Sequence, residues 1–62
     1  MTKEQYYQPN MQIVRDNLKR KRISLRRALV VMPLSEIHYW FDTGNSTNRV
    51  VSCIELRLNQ QN

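Results

Sequence analysis

Cysteine, glycine, histidine and acid are all scarce in this chain, and each shortage closes off a class of function. The one cysteine, Cys53, cannot close an intrachain disulfide, and with the one histidine, His38, it falls short of a zinc cluster. The one glycine, Gly44, rules out a glycine-rich phosphate loop. His38 has no second histidine or nearby cysteine to work with, so no nucleophile, general base or metal set can be assembled. The chain is therefore expected not to be an enzyme, and to use no cofactor, metal or small-molecule substrate. Long apolar runs are missing too: residues 28–34 form the longest, and Pro33 interrupts it. That is far short of the roughly 20 apolar residues that cross a bilayer, so no membrane partner is expected. Residues 1–20 lack the basic start, apolar stretch and small-residue site of a secretory leader. A lone thiol also suits a reducing compartment, and the expected location is the cytoplasm.

What is present is cation. Ten Lys and Arg stand against five Asp and Glu, a net charge of +5 on 62 residues. So basic a chain favours a polyanionic partner, because clustered cations gain by displacing counterions from phosphates. A chain this short forms one domain near the lower size limit for folding alone, and self-association as a homodimer is an expected way to complete it.

The apolar pattern is helical. Residues 1–9 read as a loose polar arm carrying Tyr6 and Tyr7. Asn10 after Pro9 is a plausible cap for a first helix over about residues 10–20. Met11, Val14 and Leu18 line one face of it, broadened by Ile13. Ser24 caps a second helix whose Leu25, Ala28, Leu29 and Met32 make the cleanest apolar stripe, and Pro33 ends it. Ser35 is placed to cap a third helix, residues 35–43, with Glu36 in its first turn and Ile37, Trp40 and Phe41 on its buried face. Gly44 is expected as a left-handed C-cap. Residues 49–58 fit two patterns. Val50, Ile54 and Leu58 make a helix face, whereas Ile54, Leu56 and Leu58 alternate as in a strand. Thr47 or Asn48 as a cap favours the helix. The fold class is all-α, a small four-helix domain over residues 10–59, with residues 60–62 as a frayed tail.

Two short helices around a turn of about four residues describe a helix-turn-helix unit, whose second helix enters the major groove of DNA. With the apolar side chains inward, Ser35, Glu36, His38 and Tyr39 are the candidates to meet base edges. Candidate phosphate contacts are Arg26 and Arg27 before that helix, and Asn45, Ser46, Thr47, Asn48 and Arg49 after it. Lys19, Arg20, Lys21 and Arg22 form the densest charge, either solvated or in contact with the partner.

The segment SLRRALVVMPLSEIHYWFDTG, residues 24–44, resembles the helix-turn-helix of the small phage Cro/CI-type repressors. Ser24, Ala28 or Leu29, Leu34 with Ser35, and Asp42-Thr43-Gly44 match that outline. Pro33 stands where such proteins usually carry a turn glycine. The resemblance implies a dimeric, operator-binding transcriptional repressor reading double-stranded DNA, with residues 50–58 as a helix that completes the core. The other readings are a small helical module that inhibits a larger protein, and RNA binding through residues 19–27.

Overall fold

A computed structural model describes residues 9–61. The fold is all-α: α1 (Pro9–Arg20), α2 (Leu25–Val31), α3 (Leu34–Asp42) and α4 (Thr47–Gln60), with no strand among the described residues. Residues 49–58 are thus helical, and the strand pattern of Ile54, Leu56 and Leu58 is overruled. Val50, Val51 and Ile54 are buried, whereas Leu56 stays 57% exposed. The proposed arm, with Tyr6 and Tyr7, lies outside the described residues except for Pro9, as does Asn62. Pro9 itself opens α1 rather than closing an arm, and Asn10 is inside the helix instead of capping it. Proline suits the first helical position, where a backbone N–H would have no intrahelical partner.

Three helix ends follow from local chemistry. The Ser24 hydroxyl accepts from the Arg27 amide at 3.2 Å and caps α2. After α1, the Ile23 amide donates to Leu18 O at 2.9 Å and the Arg22 amide to Lys19 O at 3.0 Å. This is a Schellman closure with Arg22 in the left-handed position at φ 58. The same closure ends α3: the Asn45 amide reaches Trp40 O and the Gly44 amide Phe41 O, both at 3.0 Å, with Gly44 at φ 89.

Ser46, not Thr47 or Asn48, caps α4, its hydroxyl accepting from the Arg49 amide at 3.2 Å. Ser35 does not cap α3 either. That helix begins one residue earlier, with Pro33 in the cap position and no side-chain cap bond, and it closes at Asp42 rather than Thr43. The turn is accordingly shorter than expected, Met32 and Pro33 alone. Met32 is extended at φ −143 and ψ 96, the conformation a following proline imposes. No left-handed residue is needed here, which explains a proline where a glycine was expected.

The core consists of Met11, Val14, Leu18, Ile23, Ala28, Met32, Ile37, Val50, Val51 and Ile54. Its hub is α4, which packs against each of the other three helices more closely than those pack against one another. Helix α3 therefore leans mainly on α4 and not, as the stripe of Leu25, Ala28, Leu29 and Met32 suggested, on α2. Ile37 is fully buried, but Trp40 and Phe41 are only half-buried against the core. Ile13, expected on the buried face of α1, is 46% exposed.

Candidate nucleic-acid interface

The outward side of α3 is built by subtraction. Ile37 goes into the core, and Trp40, Phe41 and Leu34 pack partly against it. Ser35, Tyr39 and Asp42 are left exposed, Tyr39 at 65%. Positions 35, 39 and 42 are four and three apart, so they share one helix face. The Ser35 and Tyr39 side chains make no hydrogen bond among the described residues, which leaves their hydroxyls available to a partner. His38 is half-buried at the edge of that face rather than fully offered outward.

Glu36 is placed differently from the expectation. Its carboxylate takes a two-pronged contact from Arg57 of α4, Nη1 to Oε1 at 3.1 Å and Nη2 to Oε2 at 2.6 Å. The Trp40 indole N–H donates to the same carboxylate at 3.2 Å. The Arg57 hydrogen bonds hold the Glu36 carboxyl below the ordinary carboxylate range against the opposing effect of desolvation, and the Trp40 bond adds to them. Glu36 is therefore a member of the scaffold and does not join the outward set. Arg57 also donates to the Val31 carbonyl at 2.9 Å, so one guanidinium joins the last turn of α2, the first turn of α3 and the hub helix. It spans the two-residue turn. Sequence reasoning missed Arg57, because its partners lie 21 and 26 positions away and no local pattern points to them.

The flanking candidates divide. Arg26 and Arg27 are exposed on α2, on either side of Val30, which is 71% exposed. Asn48 and Arg49 are exposed in the first turn of α4, and Thr47 is half-buried. Asn45 and Ser46 are occupied by the loop: Asn45 Nδ2 donates to Trp40 O at 2.9 Å and to Thr43 Oγ1 at 3.0 Å, and Ser46 serves as the cap. Thr43 Oγ1 in turn donates to Tyr39 O and Trp40 O, each at 3.0 Å. The loop's polar side chains thus fix the end of α3, and Asn48 and Arg49 carry most of what that segment offers a phosphate.

Charge is unevenly compensated. Among the described residues the ion pairs are Arg57 with Glu36 and Lys21 with Glu55, the latter at 3.3 Å between half-exposed groups. Arg15, Lys19, Arg20, Arg22, Arg26, Arg27 and Arg49 enter none. No acid occurs anywhere between Asp16 and Glu36. No group of three or more His, Cys, Asp or Glu side chains that could hold a metal forms among the described residues, and Cys53 is a half-buried free thiol. Among those residues no helix is long and apolar enough to cross a membrane. No family model, curated protein or solved structure matches the chain.

Proposed function

We propose that the protein is a small DNA-binding regulator that lays α3 in the major groove of double-stranded DNA and acts as a homodimeric repressor of the phage, plasmid or bacterial kind. The observation that carries this reading is the division of α3. Its apolar side chains and Glu36 are taken by the core and by Arg57, while Ser35 and Tyr39 remain outward and unbonded, with Asp42 at the far end of the same face. Those two side chains, with His38 beside them, are the base-edge candidates; Arg26, Arg27, Asn48 and Arg49 supply phosphate contacts. The net charge of +5 supports a polyanion as the partner. The protein then needs no catalytic group: binding occludes a site, and discrimination rests on a few side chains of one helix.

The experiment is selection of duplex fragments from random DNA, followed by titration of binding against salt. A preferred fragment should outbind mixed duplex by at least about a thousandfold at moderate salt, the lower end for specific readers. Equal affinity for all fragments would remove the regulator reading. The exposed apolar side chains Ile13, Val30 and Leu56 favour a second reading, a module that docks on and inhibits a larger protein. One stoichiometric protein partner, retained after nuclease treatment, would replace the first reading by the second.

A further inference from the structure

We infer that the corner between α1 and α2 is a backbone clamp for duplex DNA, with Lys19, Arg20, Arg22, Arg26 and Arg27 as its phosphate contacts. The inference rests on the DNA-binding reading above, which already uses Arg26 and Arg27, and adds Lys19, Arg20 and Arg22 to them on a surface apart from the outward face of α3.

Three observations place the clamp. The first is density: these five cations fall within nine consecutive positions, in the last turn of α1, the connector and the first turn of α2. All five are exposed and none is in an ion pair among the described residues. The neighbouring Lys21 is the exception that marks the boundary, since it turns away to Glu55 of α4. No acid occurs between Asp16 and Glu36, so within the connector and α2 no carboxylate offsets the charge of Arg22, Arg26 and Arg27.

The second is rigidity. Both sides of the connector are closed by backbone chemistry, the Schellman pair from Ile23 and Arg22 on one side and the Ser24 cap on the other. Ile23 between them is buried in the core. The cations consequently stand on a fixed frame, and little backbone entropy is lost when they meet phosphates. Four of the five are arginine, whose planar guanidinium grips a phosphate through two parallel hydrogen bonds.

The third is Arg22 itself. At φ 58 it holds a left-handed conformation that glycine adopts without strain and other residues adopt only with it. The equivalent position after α3 is filled by glycine, at φ 89. The left-handed position projects a cation from the middle of the corner, where glycine would carry no charge.

The test uses Arg22→Gly beside Lys19→Gln/Arg20→Gln, with fluorescence-anisotropy titrations of a mixed-sequence duplex and of the selected duplex across a salt series. Arg22→Gly is expected to weaken binding to both duplexes equally and to lower the slope of log K against log salt by about 0.9. Its thermal midpoint should rise, so lost folding cannot account for lost binding. The double variant should lower the slope by about 1.8, with the preference between duplexes unchanged. Slopes like wild type in both variants would overturn the clamp, and so would absence of any binding to mixed duplex at low salt. Corner-dependent binding to mixed duplex without any preferred sequence would uphold the clamp and sink the reader role of α3. A single-stranded RNA bound more tightly than either duplex would overturn the assignment of the clamp to duplex DNA.

Discussion

Two residues occupy the same place in the same closing motif with opposite chemistry. Arg22 and Gly44 both sit two residues past a helix end at positive φ. A side chain added at Gly44 would meet nothing within 4 Å, so Gly44→Ala costs only backbone strain, about 1 kcal/mol. Arg22→Gly should recover about 0.5–1 kcal/mol, seen as a rise of a few degrees in the thermal midpoint of so small a domain. Calorimetry on the two variants should give shifts of opposite sign; a fall in both would show that the Arg22 side chain stabilises the corner through contacts. On α3, Ile37→Ala should cost about 3 kcal/mol, because Ile37 is fully buried. That is a large share of the few kcal/mol a domain of this size possesses. Tyr39→Ala should move stability by less than about 0.5 kcal/mol and instead change which duplex is preferred. Urea melts read the first pair of effects and duplex selection reads the last.

Around the two-residue turn, the arrangement of elements depends on one arginine. Arg57 bonds Val31 O and both oxygens of Glu36, so removing it releases α2 and α3 from α4 together. Arg57→Ala should cost about 1–2 kcal/mol, given that both partners are about a third exposed and partly screened. The pair also gives stability a pH dependence of known sign. Because the Arg57 hydrogen bonds depress the Glu36 pKa, the stabilisation is present in full above the ordinary carboxylate range. It is lost as pH falls through the depressed value. Thermal melts from pH 6 down to 3 should therefore show wild type losing more of its midpoint than Glu36→Gln does; equal losses would mean that the pair contributes nothing to folding. At this scale much was legible in the chain. Ser24, Pro33 and Gly44 each impose a backbone conformation on their own neighbours, and the helix faces of Met11, Val14 and Leu18 or Ala28 and Met32 repeat at helical spacing. What could not be read depends on distant partners. Local pattern turns Glu36 outward because its partner comes 21 residues later, and it puts Trp40 on the buried face without saying how far α4 covers it. Ser35 and Ser46 show the same limit at shorter range: several hydroxyls in a row can cap, and the helix start decides which one does.

For the whole molecule, the question is how so small a core would support the proposed role of a specific reader. Among the described residues the buried set is ten hydrophobic side chains arranged around α4, so the apolar face of that helix is taken up by the other three helices. Among the described residues, the exposed apolar side chains that a homodimer could use without covering the reading face are Ile13, Val30 and Leu56. Such a contact would be small, so the dimer should be weak off DNA and completed on it. Two copies related by a two-fold axis place their α3 helices in successive major grooves, and the preferred duplex should then be an inverted repeat with half-site centres about 10 base pairs apart. Mass action adds a second signature: if folding and pairing are coupled, the thermal midpoint rises with protein concentration. Selection should return paired half-sites, and sedimentation should show a mass that doubles between dilute free protein and its complex with that duplex. A preferred duplex with a single half-site, bound by one copy, together with a midpoint that stays constant over a hundredfold range of concentration, would remove the homodimer. It would leave a monomeric reader whose affinity has to come from the cations of the α1–α2 corner.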